Sequence, residues 1–210
     1  NKKSFNRALV ILQRKFKSSY IIGYPYKMTL DTSNICPLKC FLCPTGQRKK
    51  TRSKGLMKFS TFKKAIDEVG DYLYSINLFN WGEPLYNKEI FEMIKYAKKR
   101  KIKTILSSNL QVFNSKMAEE LVKSGLDELS VSLHGASQKT TQIYQIGIDF
   151  NRTIKNIKKI VEMKKKVGLK IPYIYWRFIV MKHNEHEIEL AKKISKEIGV
   201  DNFDLAKNRG

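Results

Sequence analysis

The sequence predicts an α/β fold built on a parallel sheet of six strands. Six short apolar segments alternate with longer helical stretches, as expected of parallel strands joined by helical crossovers. Several of these segments are apolar over nearly their whole length, as expected when both faces of a sheet are covered. Periodicity alone leaves open whether the sheet stays open or curls into a partial barrel. In both cases the loops after the carboxyl ends of the strands form the functional edge.

The predicted elements follow one another in a regular order. The second helix begins at Ser60, a residue type that caps helix N-termini well, and later helices end at Gly125, Gly168 and Gly199. Strands are predicted at 26–32, 74–80, 102–107, 126–132, 171–181 and 201–205, and helices at 4–17, 60–72, 87–100, 114–124, 150–167 and 184–198. We expect a lead-in of residues 1–25 followed by one core domain of residues 26–210.

The first predicted helix, 4–17, is amphipathic. Its apolar face consists of Phe5, Ala8, Leu9, Leu12 and Phe16, and Arg and Lys residues lie opposite. Such a helix can cap one end of a barrel or lie on a membrane surface. Because an apolar stripe needs a core in which to be buried, we expect this helix to cap the barrel.

All three cysteines lie in one short stretch, as Cys36, Cys40 and Cys43. The stretch follows the first predicted strand, which puts it at the functional edge. A structural zinc site usually has four Cys or His ligands in two separated pairs, and a disulfide would leave one thiol over. We therefore favour a [4Fe–4S] cluster with three protein ligands and one iron open to a substrate or cofactor, and keep zinc as the alternative.

Polar residues also follow the other predicted strands. These are the turn 80–84, the stretch 107–109, the serines Ser130 and Ser132, and Arg177 within an apolar strand. Short polar side chains suit the recognition of hydroxyl and carboxylate groups, although each also fits ordinary turn chemistry. An arginine in an apolar strand requires an acidic partner, either a ligand carboxylate or a buried acid.

The net charge is +22, and most of the positive residues are lysines spread along helix faces. Because phosphate and base recognition favours arginine, solvated helix faces explain this charge better than a nucleic-acid partner does. The densest basic run is 48–54, directly after the cysteines. No transmembrane segment or signal peptide is evident. The small number of cysteines and the expected cluster favour a reducing compartment, so we expect a cytoplasmic protein. Since the chain begins at Asn1 and stops at Gly210, we expect a fragment of a longer protein.

The combined pattern resembles the radical S-adenosylmethionine (SAM) enzymes. The resemblance rests on the cysteine spacing, the turn 81–84 and the serines of the fourth predicted strand, and it covers roughly 26–205. Residues 178–188 also resemble members that carry a C-terminal SPASM extension. That extension would bring further cysteines, so with three in all the chain either stops short of it or lacks it.

The resemblance implies a (βα)6 partial TIM barrel that holds a [4Fe–4S] cluster on Cys36, Cys40 and Cys43. SAM would bind the open iron through its amino and carboxylate groups, and reductive cleavage would give a 5′-deoxyadenosyl radical. That radical would abstract hydrogen from a peptide or small-molecule substrate, with an electron donor such as flavodoxin or ferredoxin. The cofactor-binding residues implied are Gly82, Glu83 and Pro84 at the methionyl amino group, and Ser132 with Asn109 at the ribose or carboxylate. Ser130 is a further cofactor-binding candidate.

The chain departs from the family pattern at three positions. Leu42 stands where an aromatic residue usually precedes the last cysteine, and His134 stands where relatives often have aspartate. Gln145 stands where relatives often have an arginine that pairs with the SAM carboxylate, so we expect Arg177 to substitute for it. No catalytic acid or base is assigned, and Glu187 and His134 are the only candidates.

Two alternative functions remain open. The net charge of +22 allows a radical SAM enzyme that modifies RNA. The cysteines also allow a non-catalytic binding module held together by zinc or an iron–sulfur cluster.

Overall fold

The computed structural model describes residues 1–48 and 53–207, which leaves most of the basic run 48–54 outside the described residues. Its sheet has six parallel strands in the order β1 to β6, which confirms the predicted α/β class. The strands are Lys27–Thr29 (β1), Ser75–Asn77 (β2), Lys103–Ser108 (β3), Glu128–Ser132 (β4), Tyr173–Val180 (β5) and Asn202–Lys207 (β6). Because neighbours in sequence are neighbours in the sheet, each crossover turns the same way, as in a (βα)6 partial barrel.

The described residues contain seven α-helices, one more than the sequence predicted. They are Lys2–Lys15 (α1), Phe59–Val69 (α2), Ile90–Lys99 (α3), Ser115–Lys123 (α4), Gln138–Tyr144 (α5), Phe150–Lys166 (α6) and Ile188–Glu197 (α7). The unpredicted helix is α5, and it begins at Ser137, whose hydroxyl accepts from the Thr140 backbone N–H. None of the described helices is long and apolar enough to cross a bilayer.

The two faces of the sheet have different chemistry. In β5, Ile174, Trp176 and Phe178 are fully buried in the core, while the residues between them point to the other face. That other face is polar, and the strand register aligns Ser107 with Ser130 and Tyr175, and Ser132 with Arg177 and Asp204. The expectation that strands are apolar on both faces is therefore wrong for β5. Helices cover only the outer face, because the inner face of a curled sheet lines the barrel interior.

Helix α1 lies at the end of the barrel where the strands begin. Lys3 Nζ donates to the carbonyls of Arg100 and Lys101, which precede β3, at 3.1 and 2.9 Å. The expected burial of its apolar face is wrong, because Phe5, Leu12 and Phe16 are 74%, 51% and 73% exposed. The residue that α1 buries is Asn6. Its amide bonds the backbone N–H and C=O of Tyr24, so polar contacts turn the apolar stripe away from the barrel.

Buried asparagines fasten the loops at the opposite end, where the strands finish. Asn87, Asn156 and Asn184 are each 3% exposed or less. Asn87 Nδ2 donates to the carbonyls of Thr32 and Met57. Asn156 Nδ2 donates to the Leu110 carbonyl, and Asn184 Nδ2 donates to the carbonyls of His134 and Ile179. These distances are 2.8–3.0 Å. Because a buried carbonyl without a donor is costly, these amides fix the loops on which the polar strand ends lie.

Candidate functional site

The cysteine loop follows β1 and is held by a distant part of the chain. The backbone N–H groups of Lys39 and Phe41 donate to the carbonyls of Ile146 and Tyr144, at 2.9 and 3.2 Å, just after α5. Gly46 packs against the loop so closely that a Cβ at this position would lie 2.5 Å from both N and O of Cys40. The loop is therefore fixed by the rest of the barrel and not by its own short sequence.

The three thiols face one cavity of about 230 Å³ at the carboxyl edge of the sheet. The other lining residues come from the ends of β2, β3 and β4 and from the end of α5. They are Leu38, Phe79, Asn80, Trp81, Gly82, Glu83, Ser107, Ser108, Asn109, Ser132, His134, Tyr144 and Gln145. The structure thus brings together the cysteines and most of the predicted SAM contacts.

The thiols are partly buried, and burial controls their protonation. Desolvation raises the pKa of Cys36 to about 11 and that of Cys40 to about 12, so both are neutral near pH 7. Among residues 1–48 and 53–207, no three His, Cys, Asp or Glu side chains converge closely enough to hold a single metal ion. One zinc ion needs all its sulfurs at about 2.3 Å, whereas a cluster binds each thiolate to a different iron. The arrangement fits a cluster better than zinc.

The turn after β2 packs directly on the segment that leads to Cys36. The Glu83 backbone N–H donates to the Ile35 carbonyl at 2.8 Å. At Gly82 a Cβ would fall far inside van der Waals contact of the Ser33 carbonyl oxygen. Only glycine therefore allows this approach, as the sequence suggested. Trp81 contributes its carbonyl, which lies 3.8 Å from the Sγ of Cys43.

Glu83 connects the turn after β2 to the end of β3. Its carboxylate accepts from the Asn109 N–H and the Ser108 hydroxyl, both at 2.8 Å, and from the Leu85 N–H at 3.1 Å. Burial raises the pKa of this carboxyl to about 7, although these hydrogen bonds favour the charged form. The Glu83 carboxylate therefore forms its hydrogen bonds with groups of this chain. Pro84 lies buried in a short 3-10 turn and does not line the cavity.

The ends of β3 and β4 supply hydroxyl and amide groups. The Ser107 and Ser132 hydroxyls are hydrogen-bonded to each other at 3.0 Å, and the Asn109 Nδ2 lies 3.6 Å from the Cys36 Sγ. Ser130 is not part of the cavity lining, and its buried hydroxyl finds no hydrogen-bond partner among the described residues. Ser132 and Asn109 thus lie beside the cysteines, whereas Ser130 does not.

Two of the three positions where the chain departs from the family pattern, His134 and Gln145, are hydrogen-bonded to each other. Gln145 Oε1 accepts from the His134 N–H at 2.8 Å, and its Nε2 donates to the Ser132 carbonyl at 3.0 Å. The oxygen and the nitrogen of the Gln145 amide thus both bind backbone groups at the C-terminal end of β4. His134 Nδ1 accepts from the Ile179 N–H at 3.2 Å, and burial lowers the pKa of the ring to about 4. The proton of this neutral imidazole is therefore assigned to Nε2. Hydrogen bonding to the backbone of Arg177 and Leu133 favours the charged ring, but burial outweighs it.

Arg177 lies away from the cysteines. Its Nε and Nη2 bind Asp204 Oδ2 at 2.9 and 2.8 Å, which is the acidic partner that its position in an apolar strand requires. This ion pair lines a second cavity of about 240 Å³, along the polar face of β4, β5 and β6. No lysine or arginine is among the described residues that line the cysteine cavity. The substitution of Arg177 for the missing arginine stays a prediction.

Glu187 also lies outside the cysteine cavity. It accepts from the Ala136 N–H, the Ser137 hydroxyl and the Thr140 hydroxyl at 2.6–2.9 Å. Burial raises its pKa, but these hydrogen bonds outweigh that effect and the net pKa is lowered. Glu187 therefore fastens the start of α5 and is not positioned as an acid or base at the cysteines.

The residue that sequence reasoning missed at this site is Tyr144. It lines the cavity, and its ring lies 5.6 Å from that of His134. It belongs to α5, whose buried residues are the two threonines Thr140 and Thr141. The feature of the sequence that points to α5 is Gly135. The structure explains the glycine, because a Cβ at this position would lie 2.5 Å from the Thr141 hydroxyl of that helix.

Comparison of this sequence with models of known protein families identifies the family to which it belongs. The model of the radical SAM superfamily matches residues 30–194. The Fe-coproporphyrin III synthase of Methanosarcina barkeri is 27% identical over 153 residues, which are 73% of this chain and 36% of that protein. The AdoMet-dependent heme synthase of the same organism is 28% identical over 166 residues, 78% of this chain and 45% of that one. The chain thus spans less than half the length of either.

The fold has close structural counterparts as well. The crystal structure of Streptococcus suis SuiB bound to S-adenosylmethionine superimposes with a TM-score of 0.74 at 22% identity, over 97% of this chain and 45% of that one. At this level of identity the likeness concerns the fold, and it agrees with the partial barrel described above.

Proposed function

The chain belongs to the radical SAM superfamily, and on that premise we propose that it cleaves SAM at a [4Fe–4S] cluster held by Cys36, Cys40 and Cys43. The observation that carries this proposal is the convergence of the three thiols on one cavity lined by strand ends. When bound, the cluster and SAM supply a 5′-deoxyadenosyl radical that abstracts hydrogen from the substrate. The residues of this chain bind, orient and shield these groups.

The donor set fits a cluster with one open iron. Three soft sulfur ligands are available, and the neighbouring side chains that line the cavity include no fourth cysteine. Because burial keeps two of the thiols protonated, loading the site must release protons. The Asn109 amide, 3.6 Å from Cys36 Sγ, would donate to the thiolate once it forms.

The remaining lining suits the amino-acid and ribose groups of SAM. The Trp81 carbonyl is an acceptor at the cavity, as an ammonium group requires, and Gly82 lets its backbone approach the cysteine segment. Ser107 and Ser132 are neutral donors for a carboxylate or a ribose hydroxyl, and the His134 ring lines the same cavity. No lysine or arginine is among the described lining residues, so within that part of the chain these neutral donors are the groups that can face a SAM carboxylate.

The substrate lies along the polar inner face of the barrel in this proposal. That face runs from Ser132 to the Arg177–Asp204 pair and offers donors and acceptors of both charges. Such a lining suits a peptide or a small polar metabolite. A reduced flavodoxin or ferredoxin would supply the electron in the cytoplasm. The structure gives no specific support for an RNA substrate.

Anaerobic reconstitution with iron and sulfide, followed by dithionite and SAM, tests the proposal. We expect four irons per chain, the visible absorbance of an iron–sulfur cluster, and 5′-deoxyadenosine as product. Cys36→Ala, Cys40→Ala and Cys43→Ala should each abolish the product, whereas Leu42→Ala, an exposed position in the same loop, should retain it. One zinc per chain without visible absorbance, or product formation by all three cysteine variants, would refute the proposal.

A further inference from the structure

The apolar stripe of α1 is exposed on a firmly held helix. Phe5, Ala8, Leu12 and Phe16 project within an arc of about 80° of the helix, which is a continuous stripe. The helix itself is fixed by the Asn6 amide and by Lys3, so the stripe is held outward and not free to turn inward. A surface of this kind needs a partner.

A second exposed apolar segment packs along another side of α1, that of Asn6, Val10 and Gln13. Tyr20, Ile21 and Ile22 are 77%, 79% and 61% exposed. Gln13 holds this segment against α1, because its side chain donates to the Tyr20 carbonyl and accepts from the Gly23 N–H, at 2.6 and 3.0 Å. The two features together form what we call the α1 surface, defined as Phe5, Ala8, Leu12, Phe16 and 20–22.

The charge around this surface is mostly basic, although Asp71 lies 3.5 Å from Lys2 Nζ at the start of α1. Residues 1–30 contain seven lysines and arginines and no aspartate or glutamate, and the first acidic residue of the chain is Asp31. Arg14, Lys15 and Lys17 are exposed and form no ion pair with any residue that the structure describes. An exposed apolar stripe with mostly basic neighbours is complementary to a surface that is apolar inside and anionic at its rim, as a bilayer of acidic lipids is.

The position of α1 makes docking compatible with an accessible site. The helix is attached to residues that precede β2 and β3, through the Ser4–Tyr74 hydroxyl contact at 3.0 Å and the bonds of Lys3. The cysteine cavity lies at the other end of the strands. We propose that the α1 surface docks the protein on an anionic membrane surface, with the cysteine cavity facing away from the bilayer.

Vesicle co-sedimentation of the 210-residue chain tests this proposal. We expect binding to phosphatidylcholine vesicles that contain about one third phosphatidylglycerol, weak binding to pure phosphatidylcholine, and loss of binding at high salt. The triple variant Phe5→Ser/Leu12→Ser/Phe16→Ser should bind at least about tenfold more weakly at an unchanged melting temperature. Leu169→Ser/Leu190→Ser, at positions 42% and 47% exposed elsewhere on the chain, should bind like the wild type.

A charge-reversal variant keeps the proposal falsifiable if the triple variant does not fold. Arg14→Glu/Lys15→Glu/Lys17→Glu alters only exposed side chains and should abolish binding to the anionic vesicles. Wild-type chain that stays in the supernatant with anionic vesicles would overturn the proposal. So would equal binding by the wild type and the charge-reversal variant, or a dimer that dissociates on serine substitution without any vesicle binding.

Discussion

Replacing Gly82 by alanine should disrupt both the fold and the cofactor site. A Cβ at this position would overlap the Ser33 carbonyl oxygen and lie 2.5 Å from the Ser33 carbonyl carbon and 2.8 Å from the Asn34 Cα. All three obstacles are backbone atoms, so no side-chain rotation can relieve the overlap. The turn after β2 must move, which breaks the 2.8 Å bond between the Glu83 N–H and the Ile35 carbonyl beside Cys36.

Overpacking that displaces backbone costs about 3 kcal/mol of unfolding free energy. For a chain of this size that corresponds to a melting temperature about 6–12 °C lower, measurable by circular dichroism. The matched control is Gly55→Ala, because a Cβ at Gly55 has no neighbour within 4 Å. It should stay within about 1 kcal/mol of the wild type. A Gly82→Ala variant that melts like the wild type and takes up a full cluster would refute the steric reasoning.

Two further predictions concern titratable groups of the site. Burial raises the pKa of Glu83 to about 7 from the ordinary value of 4.5, so the folded state binds more protons between these values and stability falls as pH rises through that window. The melting temperature of the wild type should therefore decline from about pH 5 to about pH 7 more steeply than that of Glu83→Gln, and parallel profiles would contradict the assignment. His134→Phe keeps an aromatic ring but removes the Nε2–H, so calorimetry of the cluster-loaded protein should give SAM binding about tenfold weaker. Unchanged affinity would exclude His134 as a SAM contact.

The sheet and the cysteine site could be predicted because their signals are local. Each strand and most helices have a hydrophobic pattern that is visible within their own residues. The spacing of Cys36, Cys40 and Cys43 is enough to indicate a site. Helix α5 could not be found in this way, because the residues it buries are threonines and hydrophobic periodicity is absent. Its contribution to the site, Tyr144, was missed for the same reason.

The roles of Arg177 and α1 depended on tertiary context. Arg177 finds Asp204 only because the β5–β6 register puts the two residues side by side, and register is not visible in one strand's sequence. The sequence of α1 shows a stripe but not which face the barrel accepts. Asn6 decides this, since its buried amide bonds Tyr24 and leaves Phe5 and Phe16 in solvent.

The two backbone hydrogen bonds between the cysteine loop and the C-terminal end of α5, at Tyr144 and Ile146, have a consequence for biogenesis. Cys36–Cys43 leaves the ribosome long before Tyr144 and Ile146, whose carbonyls hold Phe41 and Lys39. A nascent chain that ends before Ile146 therefore has all its thiols but no shaped loop to present them. Because domains fold as units, we expect the cluster to be inserted only after about two thirds of the barrel has been made. On this view a partly made chain takes up no iron until the residues that follow α5 have been synthesised.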